Sequence, residues 1–255
     1  MAQQHKVIVT GASGSVGRRV VHFALKHKSV ESVTALLRSG PEKNAAFFGL
    51  DPKNPSDKEV FDNKLKQKIV DYNAPEDVVE ATKGHTAGIS CLGVYTADVK
   101  NVDDFMDQEY KPNLAVARAA AATGTKRWGY LSGNGVKQPE RSQTKPGFFE
   151  PIFAFTKGSI ERDLSAVEGF EATTSARPAM ILHRENHYPG TMKYVEDWFN
   201  NWKWFSTTRF AVETDDIAKA LVHSIVKEQD LKLNEILENE DIKRVAREFD
   251  TADAK

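Results

Sequence analysis

Lys6-Val7-Ile8-Val9-Thr10-Gly11-Ala12-Ser13-Gly14-Ser15-Val16-Gly17 opens on an apolar, β-branched run and passes through three evenly spaced glycines into a stretch of helical period. A short run almost free of polar residues reads as a strand covered on both faces. The glycines follow the spacing G-x-x-G-x-x-G. Gly11 permits a tight turn, Gly14 lets the backbone approach a pyrophosphate, and Gly17 lets the helix pack close to the sheet. The loop through Ser13, Gly14, Ser15 and Val16 then aims the free N–H groups of a helix start at phosphate. Three glycines alone would be a flexible turn; at the first strand-to-helix junction of a βαβ chain they are a dinucleotide cradle.

The same alternation continues outward. Apolar runs at 6–10, 32–37, 67–71, 86–92, 127–132 and 170–176 are separated by helical stretches at 15–28, 75–83, 102–123, 152–167 and 214–227. Strand–helix–strand order implies right-handed crossovers and a doubly wound parallel sheet, an α/β Rossmann fold in a single domain. Residues 39–65 are rich in Pro, Lys, Asn and Asp and read as a long polar loop or a short irregular helix. Residues 1–228 are expected to form the nucleotide-binding domain, with 178–210 as a small substrate-side lobe, and 229–255 a polar extension with a short helix at 239–249 and a frayed end.

Composition narrows the functional classes. The chain has 255 residues, 40% of them hydrophobic, with a net charge of −1. No basic excess marks a nucleic-acid binder. Cys91 is the single cysteine, so neither an internal disulfide nor a multi-cysteine metal site can form. No apolar run is long enough to span a bilayer, and the default location is the cytosol.

Strand two ends at Leu36-Leu37-Arg38-Ser39. A free ribose 2′-hydroxyl would favour Asp or Glu there, whereas Arg38 suits a 2′-phosphate and can stack on adenine, so NADP(H) is the expected cofactor. Arg18 and Arg19 lie near enough to join it. The plain alternative for Arg38 is a solvated strand-end arginine. Asp71, after strand three, reads equally as an acceptor for the adenine amino group and as a turn aspartate.

Gly11–Gly17 and Arg38 resemble the opening of the atypical short-chain dehydrogenases. Cys91-Leu92-Gly93, Tyr130-Leu131-Ser132 with Gly133-Asn134-Gly135, Lys157-Gly158-Ser159-Ile160-Glu161 and Arg177-Pro178 resemble the Tat-interacting-protein branch, which includes a fungal mitochondrial outer-membrane relative. The likeness runs from about Lys6 to about Leu221. It implies a Rossmann fold, NADPH binding, cofactor contacts at Cys91, Leu92, Gly93, Lys157, Arg177 and Pro178, and an oxidoreductase or regulatory role without a settled substrate.

The resemblance also implies a Tyr-x-x-x-Lys pair, in which tyrosine is the general acid or base and lysine lowers its pKa and bonds the nicotinamide ribose. Lys157 is present, but Phe153 stands four residues earlier and has no proton to give. No other tyrosine has a lysine at +4. Ser132 ends strand five, and Asn134 occupies the position where the catalytic serine usually lies; its amide can still donate to a carbonyl. Tyr95 and Tyr188 are candidate replacements, against the plainer reading that both line a pocket. Hydride transfer to a quinone needs less help from a fixed acid than carbonyl reduction does. Two functional readings therefore stand: an NADP(H)-dependent oxidoreductase acting on a quinone or carbonyl, and an inert NADPH-binding sensor acting through protein partners.

Three further features carry expectations. His183 and His187 are four apart, but no third ligand is evident and no metal site is expected. Residues 191–205 place Met192, Val195, Trp198, Phe199 and Trp202 on one helical face, reading as a core-packing or cleft-roofing helix or, alternatively, a protein partner or self-association surface. Thr214 is expected to cap the next helix, with Asp215 and Asp216 in its first turn.

Overall fold

A computed structural model of the chain describes residues 3–94, 98–183 and 211–253. The strands of the main sheet are β1 His5–Thr10, β2 Val30–Leu37, β3 Leu65–Ile69, β4 Ala87–Ser90, β5 Arg127–Leu131, β6 Ala172–Ala176 and β9 Glu235–Leu237. They lie parallel in the order β3-β2-β1-β4-β5-β6-β9. Between β6 and β9 come β7 Met180–Leu182 and β8 Ala211–Glu213, which pair with each other in a separate parallel ribbon. The described helices of four residues or more are α1 Ser15–Lys26, α2 Pro55–Lys64, α3 Pro75–Thr82, α4 Val102–Phe105, α5 Lys111–Ala122, α6 Ile152–Leu164, α7 Thr214–Val226 and α8 Asn239–Asp253, besides a 3-10 turn at Ala45–Phe48 and a π turn at Met106–Tyr110.

The sheet is buried on both faces, which is why its central strands read as continuous apolar runs. Val7 and Val9 of β1 face a layer built from Val20, Leu25, Leu221 and Phe249 of α1, α7 and α8. Ile8 faces the opposite layer, with Leu114, Trp128, Tyr130 and Ile160. Each such fully buried side chain stabilises the fold by about 1.5–3 kcal/mol. The doubly wound α/β architecture expected from the sequence is thus the one observed.

The differences lie where polar residues hide regular structure. Of the two readings of residues 39–65 the helical one is found, as the 3-10 turn and α2. α2 starts by the usual physics: Asn54 accepts from the Ser56 amide at 3.0 Å and Pro55 follows at the first helical position. Its weak apolar content conceals it. β3 sits two residues earlier than read, because this edge strand alternates Leu65, Gln67 and Ile69 with Lys66 and Lys68. In 229–255 the helix expected at 239–249 is present as α8 and runs on to Asp253 with Ile242, Val245 and Phe249 buried, while β9, which was not expected, pairs with β6. Thr214 is not the cap of α7. Glu213 holds that position without a side-chain cap, and the Thr214 hydroxyl donates to the Leu182 carbonyl at 2.7 Å. The predicted 102–123 helix is interrupted by the π turn at Met106–Tyr110.

Candidate functional site

A parallel sheet delivers all its strand ends to one edge. The strand order reverses on either side of β1, whose neighbours are β2 and β4, and such a switch point opens a crevice at the carboxyl edge. The glycine loop lies there. Gly11 has φ +68°, and a Cβ on it would stand 2.5 Å from the Cys91 carbonyl carbon and oxygen. A Cβ on Gly17 would stand 2.1 Å from the Gly11 oxygen, whereas one on Gly14 would meet that oxygen at 3.3 Å. Gly11 and Gly17 are therefore demanded by the fold itself, and Gly14 is not. Gly14 is also the cap residue of α1 and supplies no side-chain acceptor, so no side chain caps the amino end of that helix. Ser13 is exposed, while Ser15 and Val16 are buried under the loop.

Beside the loop, a cleft of ≈ 720 Å³ is lined by Arg38, Ile69, Asp71, Tyr72, Leu92 and Pro112, among others. Three strand ends thus meet in one cavity. The Tyr72 hydroxyl is buried there without a hydrogen-bond partner. Burial pushes its phenol up, opposed by the Arg38 charge. Asp71 lines the cleft and accepts from the Asn73 amide at 2.9 Å, the contact of a turn aspartate. The 3-10 turn gathers cations nearby: the guanidinium of Arg18 and the ammonium of Lys43 lie 5.3 and 5.6 Å from the Phe47 ring centre. Arg19 is engaged elsewhere, bonded to both oxygens of Asp215 at 2.5 and 2.8 Å.

At the β4 and β5 ends the central group is Lys157 on α6. Its ammonium lies 2.6 Å from Glu109 Oε1 and donates to the Leu131 carbonyl at 3.1 Å. The two side chains are 6% and 0% exposed, so the pair is screened little by solvent. Glu109 Oε2 accepts from the Val94 amide at 2.9 Å, and a Cβ on Gly93 would stand 3.8 Å from Lys157 Nζ. The Tyr130 and Phe153 rings lie 5.1 and 5.8 Å from the ammonium. Phe153 occupies the space left by Gly133, where a Cβ would approach its Cζ to 2.5 Å. Burial pushes the Cys91 thiol up to about 12, opposed by the Lys157 charge.

Glu109 escapes a sequence reading because Asp-Asp-Phe-Met-Asp-Gln-Glu-Tyr looks like a solvated helix face. One signal was available. Phe105, Glu109, Asn113, Val116 and Ala120 recur at helical spacing, all buried, so the charge stands in the buried stripe. Asn113 extends the polar core: Ser90 donates to it at 2.5 Å and receives from Thr10 at 2.8 Å, while Asn113 Nδ2 donates to the Glu109 carbonyl at 2.8 Å.

Ser132, Asn134, Arg177 and Pro178 form a neighbouring group. The Ser132 hydroxyl donates to Glu161 Oε1 at 2.5 Å, and Arg177 binds both oxygens of Glu161 at 2.9 and 2.5 Å. Arg177 also reaches Glu238 at 3.3 Å, the Asn134 backbone N–H donates to the Pro178 carbonyl at 2.9 Å, and the Asn134 side-chain Nδ2 donates to Glu238 at 3.4 Å. These residues tie β5, β6 and α6 to the start of α8. Tyr95, Tyr188, His187 and 191–205 lie outside the described residues. His183 is hydrogen-bonded to Glu213, and no group of three metal-ligating side chains occurs among the described residues.

The cradle that a side chain would fill, the uncapped amino end of α1 and the Arg38–Tyr72 cleft fit a dinucleotide. Comparison with known proteins agrees. The rat (Rattus norvegicus) protein HTATIP2 is 24% identical over 252 residues, covering 97% of this chain and 92% of that protein. The mitochondrial protein FMP52 of Debaryomyces hansenii is 24% identical over 221 residues, covering 84% and 85%. Among solved structures, a short-chain dehydrogenase/reductase from Serratia marcescens aligns with TM-score 0.64 at 13% identity over 92% of this chain and 96% of that one. The Streptomyces venezuelae dTDP-glucose 4,6-dehydratase DesIV, solved with NAD and DAU bound, aligns with TM-score 0.63 at 16% identity over 95% and 80%. The resemblance to the Tat-interacting-protein branch of the atypical short-chain dehydrogenases therefore stands. No described helix is long and apolar enough to cross a membrane. A family model described as NAD(P)H-binding matches residues 11–228, and the chain belongs to that family.

Proposed function

We propose that the chain is an NADP(H)-dependent oxidoreductase that reduces a quinone or carbonyl compound at a site built without the usual tyrosine. The observation that carries the reading is Lys157, a buried ammonium that donates to the Leu131 carbonyl at the end of β5, on the same carboxyl edge of the sheet as the glycine loop and the Arg38 cleft. When bound, the reduced nicotinamide would supply hydride. Gly11, Ser13, Gly14, Ser15, Val16 and Gly17 would cradle the pyrophosphate, Arg38 the 2′-phosphate, and Asp71 the adenine. Cys91, Leu92 and Gly93 would line the cofactor, Lys157 would orient its ribose, and Asn134 could donate to the acceptor oxygen. Arg177 and Pro178 would add further cofactor contacts; Arg177 is held by Glu161, and the Pro178 carbonyl accepts from the Asn134 backbone N–H.

The test is calorimetric titration of NADPH and NADH into the parent and Arg38→Ala, beside an NADPH oxidation screen with quinones, aldehydes and ketones. Arg38→Ala should weaken NADPH by about 1.5–3 kcal/mol, the scale of a charge-assisted hydrogen bond, and leave NADH unchanged. Equal affinity of the parent for both cofactors would sink the NADP assignment. Phe153, which carries no proton, and Ser132, whose hydroxyl is donated to Glu161, favour a second reading as an NADPH-dependent sensor. Tight NADPH binding with no turnover of any acceptor would select it. Cytosolic residence belongs to the same proposal; the fungal relatives are named as mitochondrial proteins, and cell fractionation discriminates.

A further inference from the structure

Glu109 gives the site a chemistry that neither the motif residues nor the relatives assign. We propose that Glu109 is a positioning residue that holds Lys157 as a fixed cation rather than a proton donor, so that the site serves quinone-like acceptors in preference to simple aldehydes and ketones. This rests on the oxidoreductase reading above and names its substrate class.

Every contact of the ammonium favours its charged form. The ammonium donates to the Leu131 carbonyl at 3.1 Å and stands 2.6 Å from Glu109 Oε1 as an ion pair. The Tyr130 and Phe153 rings lie within cation–π reach. Removing a proton from Lys157 would leave Glu109, fully buried, as a carboxylate without its counter-ion.

The other groups packed around the ammonium are poor proton sources too. Burial, with the Glu109 and Glu161 carboxylates, pushes the Tyr130 phenol well up. Burial pushes the Cys91 thiol up to about 12. Glu161, one turn further along α6, is occupied by Arg177 and Ser132. Phe153 fills the position of the missing acid and has nothing to ionise.

A fixed cation suits an acceptor that can leave as an anion. A reduced nicotinamide would give up hydride by breaking its ring C–H bond and become oxidised; the quinone would take the hydrogen on one oxygen and the electron pair into its ring, and become the hydroquinone monoanion. The charge spreads over the aromatic hydroquinone anion, is stabilised by Lys157, and takes a proton from water after release. A simple ketone would instead have to leave as an alkoxide, far more basic than water can accommodate cheaply, and needs an acid during the transfer. Glu109 also accepts from the Val94 amide, so one carboxylate sets both the lysine and the chain leaving β4.

The experiment compares the parent, Glu109→Gln and Glu109→Asp. It measures NADPH affinity by calorimetry, thermal midpoint, and kcat and KM across pH 6–9 with a water-soluble benzoquinone and with an aldehyde. The expected parent reduces the quinone at a rate flat across that range and the aldehyde poorly. Glu109→Gln should lose about 10–100-fold in quinone kcat, NADPH affinity, or both, the worth of a charge-assisted hydrogen bond, with acceptor KM little changed. Glu109→Asp, which keeps the charge, should retain more than Glu109→Gln. A parent rate that falls with rising pH as one group loses its proton would overturn the proposal, and needs no variant to be seen. So would a Glu109→Gln protein that folds and matches the parent, or a parent that prefers the aldehyde. Failure of the parent to bind NADPH would instead overturn the oxidoreductase reading beneath it.

Discussion

Replacing Lys157 should be far more costly to the fold than a cleft lysine ordinarily is. In Lys157→Met the hydrocarbon stem is largely kept and the ammonium removed, which leaves Glu109 as a carboxylate of zero exposure with only the Val94 amide against it. Breaking a buried ion pair by deleting one partner typically costs about 3–5 kcal/mol. The two side chains are 6% and 0% exposed, so no large discount for solvent screening applies. For a domain of this size each kcal/mol moves the thermal midpoint by about 2–4 °C, which gives an expected fall of about 6–20 °C. The double variant Lys157→Met/Glu109→Leu replaces both charges by apolar groups and should recover most of that loss, because pairs replaced together are often near neutral. Parent, both single variants and the double variant would be compared by circular dichroism melts and urea unfolding, closing a double-mutant cycle. A Lys157→Met midpoint within a degree or two of the parent, or a double variant whose losses simply add, would refute the argument. The same cycle matters for enzymology. A lysine-to-alanine control at this position confounds lost chemistry with lost stability unless Glu109 is changed with it.

Gly14→Val should abolish NADPH binding by calorimetry while the far-UV circular dichroism stays native, because a Cβ there meets only the Gly11 oxygen at 3.3 Å; Gly17→Ala, whose Cβ would lie 2.1 Å from that oxygen, should destabilise the fold itself. Normal NADPH binding by Gly14→Val would show that the loop is not the cradle. Phe153→Tyr should raise aldehyde reduction by about 10²–10⁴-fold, the usual worth of a general acid, and alter quinone reduction much less. No gain at unchanged NADPH affinity would place the proton source elsewhere. His5 and His22 are held down to about 4, chiefly by burial and secondly by Arg127 and Arg19 respectively. Since the unfolded chain binds these protons near pH 6.5 and the folded chain only near 4, their contribution is complete above 6.5 and is lost as pH falls toward 4. Urea titrations at pH 7.5, 5.5 and 4.5 check this, and for His5→Asn/His22→Asn the stability lost over that interval should shrink.

The sequence by itself was sufficient for the architecture and for the glycine loop at its first strand-to-helix turn. Period-2 burial on both faces makes the strands of a parallel sheet continuous in apolar residues, so β1, β2, β4 and β5 announce themselves without a structure. The three glycines are legible for a similar reason: a positive φ at Gly11 and a backbone contact at Gly17 admit no other residue, and such constraints are local. Arg38 and Asp71 follow because the end of a strand in this fold has a known neighbour.

What only the tertiary structure decided is how distant polar groups are matched. Glu109 and Lys157 are far apart in the chain, and nothing in either local sequence states that a helix interrupted by a π turn carries the carboxylate under the lysine. Ser132, Arg177 and Glu161 are likewise three segments joined by one charge cluster, which takes the hydroxyl of the serine at the end of β5. β9 was hidden because a three-residue edge strand, Glu235–Leu237, has too few residues to show a period. Apolar burial leaves a periodic trace along the chain, since every residue of an element meets the same surface. Charge pairing leaves none, because it depends on which two elements the fold brings side by side.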